Sequence, residues 1–142
     1  MAKMTPDECY TFLLAGVRTA KLATVRQDSR PHVVPVWFAL DGHTIVFTTW
    51  HESVKAMNMK RDPRVCLCVD DERPPFNYVQ VEGEAELSGN SDDLKEWATR
   101  IASNYMGQGE AERYGERNSV AGELLVRVRI TKIIGQKEVA GW

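Results

Sequence analysis

The sequence predicts a mainly β fold, a small antiparallel barrel with flanking helices, and three observations carry that expectation. Six segments hold strand-forming residues separated mostly by short turns. Asp41-Gly42 marks a tight hairpin, and only one stretch, Leu94 to Tyr105, sustains apolar residues at helical spacing. The 142 residues suit one domain with its own core, and no repeat, linker or second apolar block divides residues 1–142.

In chain order, Thr5-Pro6-Asp7-Glu8 reads as a helix start, with Thr5 as N-cap, Pro6 in the first turn and Glu8 as capping-box partner; this helix should end near Gly16. Thr19 to Val25 favours a strand, Gln27-Asp28-Ser29-Arg30 its turn, and Pro31 to Leu40 a second strand. Asp41-Gly42 then returns the chain into a third, Thr44 to Thr49. His51 to Lys60 lacks alternation and stops before Asp62-Pro63, as a short helix would. Arg64 to Asp70 is the fourth strand, and Asp71-Glu72-Arg73-Pro74-Pro75 breaks the pattern. Tyr78 to Leu87 alternates as a long strand with one polar face, exposed or turned to a partner. Ser91 is the expected N-cap of the long helix, where Leu94, Trp97, Ala98, Ile101 and Tyr105 recur on one side. Met106 to Gly122, rich in Gly and Glu, reads as a long functional loop, and Leu124 to Ile130 as the last strand, with Arg127 and Arg129 on one face.

Composition narrows the chemistry. With 43% hydrophobic and 27% charged residues the chain is an ordinary globular one, and the absence of an apolar leader or a membrane-length run gives a cytoplasmic expectation, with no membrane partner. A net charge of −2 argues against a general nucleic-acid binder, so any anion site must be local. Cys9, Cys66 and Cys68 are too few for a closed zinc site and are expected as buried, reduced core thiols. His32, His43 and His51 are too scattered for a metal trio; no metal is expected. No nucleophile motif, dinucleotide fingerprint or phosphate loop is present, so in an enzyme a cofactor would supply the chemistry.

Two segments could build a cofactor site. Thr48-Thr49 runs into Trp50-His51-Glu52-Ser53-Val54-Lys55, and a strand-to-helix junction with hydroxyls and a lysine suits an anion. The plainer reading of the residues alone is that Lys55, Lys60, Arg61 and Arg64 only solvate a helix face, since hydroxyls and lysines near a helix start are common. The strand His32 to Phe38 is nearly all apolar and contains Pro35, which cannot donate to a ladder. Such an edge suits a flat heterocycle needing hydrogen bonds at its rim; a core strand with a proline bulge fits as well.

The pattern Phe47-Thr48-Thr49-Trp50-His51-Glu52-Ser53-Val54-Lys55, followed by Asp62-Pro63-Arg64-Val65 and Val79-Gln80-Val81-Glu82-Gly83, resembles the pyridoxamine 5'-phosphate oxidase-like split β-barrel flavoproteins over nearly the whole chain. Thr19 to Val25, Arg30 to Phe38 and Val69 to Phe76 are similar to the branch that uses coenzyme F420, an 8-hydroxy-5-deazaflavin. The resemblance implies a split-barrel homodimer with two cofactor sites in the interface. It places the phosphate at Thr49, Ser53 and Lys55, with Thr48, Trp50 and Asn58 in the same cofactor-binding set. The ring would lie along Val34, Pro35, Val36 and Trp37, and Tyr78 would face it from the other subunit. Val54 stands where the oxidase carries an arginine that pairs with the phosphate of flavin mononucleotide (FMN), which speaks against FMN and for F420. The implied reaction is hydride transfer from the reduced deazaflavin to an unsaturated small-molecule acceptor, with Tyr78, His51 and solvent as candidate proton sources. The alternatives are an FMN-dependent oxidase or flavin reductase of the same fold, and a non-catalytic carrier of flavin, deazaflavin or haem. Trp37, Trp50, Tyr78 and Tyr105 would line the substrate cleft.

Overall fold

The computed structural model describes residues Met1–Gly141, which form one antiparallel eight-stranded sheet with four α-helices. The strands are β1 (Ala2–Lys3), β2 (Ala20–Val25), β3 (Pro31–Val36), β4 (Ala39–Asp41), β5 (Thr44–Trp50), β6 (Arg64–Asp70), β7 (Tyr78–Ser88) and β8 (Glu123–Lys137). The helices are α1 (Pro6–Leu14), α2 (Val54–Arg61), α3 (Ser91–Met106) and α4 (Ala111–Arg117). The sheet runs β3-β2-β6-β7-β8-β5-β4, with β1 paired to the far end of β8. The sequence-adjacent β3 and β4 occupy its two ends, the split in the barrel.

Alternation explains the core. Ala20 and Leu22 of β2, Leu67 and Val69 of β6, Val79 and Val81 of β7 and Val126 and Val128 of β8 point inward around Phe47 and Ile45 of β5, all essentially inaccessible to water. Burying Phe47 alone is worth about 2–3 kcal/mol. Helix α1 closes one end with Cys9 and Leu13. Its capping box forms as the sequence predicts: Glu8 N–H donates to Thr5 Oγ1 at 3.2 Å and Thr5 N–H to Glu8 Oε1 at 3.0 Å. On the outside of β5, Val46 packs with Leu94 and Trp97 of α3 and with Leu125, a second small core that holds the long helix against the barrel.

Several expectations change. The strand expected over Pro31 to Leu40 is two strands, β3 and β4, interrupted at Trp37-Phe38. There the Phe38 N–H leaves the ladder and donates to the Tyr105 hydroxyl at 3.2 Å, a partner from α3. The N-cap of α3 is Asn90, whose side chain accepts from Asp93 N–H; Ser91 is the first helical residue. Met106 to Gly122 is not a loop: it holds a 3-10 turn, Gln108–Glu110, and α4, which lies so close to α3 that a Cβ at Gly115 would overlap Thr99. Glycine there serves close helix packing rather than a turn. Strand β8 continues to Lys137 instead of ending near Ile130, and a bulge at Glu82/Gly83 lets it pair with β7 throughout. Of the three thiols only Cys9 is core; Cys66 and Cys68 lie half-buried on the outward side of β6, because Val65, Leu67 and Val69 take the inward positions. No helix among the described residues is long and apolar enough to cross a membrane.

Candidate functional site

Strand β5 carries its last residues past the edge of the core and ends three residues before Ser53, the N-cap of α2. The Ser53 side chain caps the helix, accepting from Ala56 N–H at 3.2 Å, and lies 2.8 Å from Thr49 Oγ1. Each hydroxyl has one proton, and a single hydrogen bond joins the two oxygens, so one O–H is left to donate into the cleft. The first intrahelical bond runs from Met57 N–H to the Ser53 carbonyl, which leaves the amides of Val54 and Lys55 ahead of the ladder. No acidic side chain occupies the first turn of α2; Lys55 does. A cation at the positive end of a helix runs against the macrodipole preference, and the arrangement is favourable once an anion sits between them.

Of the expected basic cluster, only Lys55 lacks a hydrogen-bond or ion-pair partner among the described residues. Lys60 Nζ donates to the His51 carbonyl at 3.3 Å, Arg61 donates to the Val25 carbonyl at 2.6 Å and Arg64 pairs with Asp62 at 2.7 Å. Lys55 is half-buried, and burial pushes its ammonium below the ordinary lysine range while the Glu123 carboxylate pulls it back up. Glu123, the first residue of β8, shows the reverse: burial raises its carboxyl, and Lys55, Arg117 and His51 oppose the rise.

The other wall is aromatic. Trp37, at the break between β3 and β4, stacks on Tyr105 with ring centroids 5.2 Å apart and planes within 4°, and Tyr114 of α4 meets its edge at 6.3 Å. Tyr105 is anchored through its hydroxyl, which accepts from Phe38 N–H and donates to the Arg18 carbonyl at 2.7 Å. The junction opposite is locked by Gly122. Its carbonyl accepts from His51 N–H at 2.9 Å and from His51 Nδ1 at 3.0 Å; its φ is +100°, and a Cβ there would fall 2.5 Å from the Trp50 ring, so glycine is required twice over. His51 Nδ1 therefore carries its proton on a backbone bond, a positioning role.

These walls enclose a cleft of about 290 Å³ lined by Pro35, Val36, Trp37, Thr48, Thr49, Trp50, Ser53 and Lys55, with Ala98, Ile101, Asn118 and Glu123. Eight of the eleven residues expected from the sequence thus converge. Three stand apart in the protomer. Val34 lies further along β3, paired with Leu22. Asn58 is on the buried face of α2, where its amide donates to Thr24 Oγ1 at 3.0 Å and its Oδ1 accepts from Arg61 at 3.1 Å. Tyr78 begins β7, between Asp70 and Gln136. The contributions of α3, Asn118 and Glu123 are not legible locally: those of α3 and Asn118 depend on how α3 and α4 dock, and that of Glu123 on the pairing of β8 with β5. A larger recess, about 540 Å³, lies beside Cys66, Glu82 and Arg64. Its arginines are neutralised, Arg64 by Asp62 and the neighbouring Arg129 by Glu84, so it lacks the free positive charge of the smaller cleft. Among the described residues no group of three or more His, Cys, Asp or Glu side chains is placed to hold a metal.

Residues 5–137 match the family described as pyridoxamine 5'-phosphate oxidase. The F420H2-dependent biliverdin reductase of Mycobacterium tuberculosis is 29% identical over 136 residues, covering 94% of this chain and 89% of that protein. A solved structure described as an F420 reductase superposes with a TM-score of 0.71 at 29% identity, over 86% of this chain and 93% of its own. A conserved hypothetical protein of Mycobacterium tuberculosis superposes with a TM-score of 0.83 at 25% identity, over 96% of this chain and 88% of its own. With the split antiparallel barrel and a match spanning almost the whole sequence, the chain belongs to the pyridoxamine 5'-phosphate oxidase family.

Proposed function

We propose that this protein is an oxidoreductase of the F420-dependent kind, working as a homodimer and reducing an unsaturated small-molecule acceptor. The observation that carries the reading is the unpaired positive end of the cleft: Lys55, the spare hydroxyl proton of the Thr49–Ser53 pair and the first-turn amides of α2 converge beside an apolar aromatic wall. That donor set fits a phosphate attached to a flat heterocycle. The names of the relatives support the deazaflavin as that heterocycle, and so does Val54 at the position where an arginine would pair with FMN.

In this reading Lys55 supplies charge to the phosphate, Thr49 and Ser53 supply the directed O–H, and the helix amides complete the cradle. Trp37 is held flat by Tyr105, and Val36 and Pro35 give the ring an apolar bed that excludes water from one face. A bound reduced deazaflavin supplies a hydride. The chain's own part is orientation and exclusion of water, with the second face left open to the acceptor. In this reading Tyr78, outside the cleft of one protomer, would complete the site from the other subunit of a dimer, whereas Val34, expected along the ring with Val36 and Trp37, lies outside the cleft.

The test is anaerobic oxidation of reduced F420, deuterated at the transferring carbon, with biliverdin and a panel of quinones. Acceptor-dependent oxidation is the expected result, with one deuterium retained wherever the hydride lands on carbon; in a hydroquinone it ends on oxygen and exchanges with water, so there the oxidation of reduced F420 itself is the readout. Tight binding of F420 without turnover of any acceptor would make the protein a carrier.

A further inference from the structure

We propose that Glu123 couples anion binding in this cleft to uptake of a proton, so that the carboxyl is a specificity-determining group of the site. The inference rests on the reading of the cleft as a phosphate site. Glu123 shares the cleft with Lys55, Ser53 and Thr49, and is the one acidic residue in its lining. Its place is fixed by the backbone. It sits opposite Trp50 in the β5–β8 ladder, its N–H donates to the Val120 carbonyl at 3.0 Å, and the preceding Gly122 is gripped twice by His51. The backbone that carries the carboxylate is thus held at the cleft whether or not an anion is bound.

No hydrogen bond or ion pair within 4.0 Å joins Glu123 to Lys55 among the described residues, so the carboxylate is held near the cation without being neutralised by it. The charged groups around it are Lys55 of α2, Arg117 at the end of α4 and His51 in the junction. Glu52 lies beyond His51, 3.4 Å from its Nε2, and Lys60 reaches the His51 carbonyl. A phosphate bound at Lys55 draws that lysine's field to itself and adds a negative charge near a half-buried carboxylate. Both changes favour the protonated acid. Glu123, already raised by burial, takes up a proton from solvent as the anion binds. By linkage the affinity for an anion then falls as pH rises through the titration of Glu123. The carboxylate would select against ligands that crowd it with extra negative charge, as a repulsive element does in any specific site.

Two measurements test this. In wild-type protein labelled with 13C, the Glu123 carboxyl carbon is followed through a pH titration with and without inorganic phosphate; the midpoint should move upward with phosphate. The dissociation constant of F420 is then measured across the same pH range for wild type and Glu123→Gln. The titrations of the ligand itself cancel in the ratio of the two. The variant should bind about fivefold tighter at the alkaline end, the scale of one unit charge several ångströms away in a half-exposed site, and the ratio should approach one at the acid end. An unmoved carboxyl midpoint, or a ratio flat with pH, would overturn the proton coupling. Lys55→Ala separates the two claims: F420 binding that ignores this substitution removes the phosphate site itself, whereas a flat ratio with intact dependence on Lys55 removes only the role of Glu123.

Discussion

Along β5, Ile45 and Phe47 point into the barrel and are completely buried among aliphatic neighbours, whereas a few residues later Thr49, Ser53 and Lys55 present polar groups that the protein itself does not fully satisfy. The interior follows packing rules: its strands alternate, its side chains interdigitate, and stability comes from area removed from water. The end of the strand breaks those rules locally, with a half-buried lysine at the wrong end of a helix. The barrel would fold as well with that lysine replaced. Departures of this kind, where local electrostatics disagree with stability, mark the place where a ligand completes the structure.

Substitutions should separate the two regions. The largest effect is expected for Phe47→Ala, which should lower stability by about 3–5 kcal/mol, read as a lower denaturant midpoint with an unchanged slope. Lys55→Ala should do the opposite: stability held or slightly raised, since an unpaired ammonium leaves a half-buried position, and cofactor affinity weakened by about 1.5–3 kcal/mol. A Lys55→Ala protein that loses as much stability as Phe47→Ala would erase the distinction between the regions.

Tyr105→Phe should fall between core and cleft. The Phe38 N–H loses its acceptor and the Arg18 carbonyl its donor, at about 1–2 kcal/mol. Trp37 fluorescence should report a looser ring, while the phosphate end stays intact. The smallest effect belongs to Asp62 at the end of α2, whose carboxyl is lowered to about 2 by Arg64 through side-chain and backbone hydrogen bonds. A lowered acid stabilises the folded state above its unfolded value of 3.8 and loses that contribution as pH falls through about 2. In Arg64→Ala, the Asp62 carboxyl followed by NMR should titrate nearer the ordinary aspartate range, with F420 binding unchanged.

What could be read from the sequence follows the range of the forces involved. The α1 capping box, the Gly42 hairpin and the end of α2 before Asp62-Pro63 depend on neighbours a few residues away, and each forms as expected. The break at Trp37-Phe38 is invisible locally because its cause, Tyr105, lies 67 residues on from Phe38. Helix α4 was hidden by Gly115, whose lack of a side chain matters only once α3 is beside it. Cys66 and Cys68 alternate correctly but on the outward register, a choice made by the bulkier Val65, Leu67 and Val69. In the site, Thr49, Ser53 and Lys55 were legible because one junction carries them all, while Glu123 reaches the cleft only through the pairing of β8 with β5.

If the unpaired positive end of the cleft anchors a deazaflavin phosphate, as proposed, a fluorescence titration of cofactor-free protein with F420 and, separately, with FMN will show it. Micromolar or tighter binding of F420 with much weaker binding of FMN, the F420 affinity dropping in Lys55→Ala, is the expected result. A preference for FMN, or failure of both cofactors to bind, would contradict it.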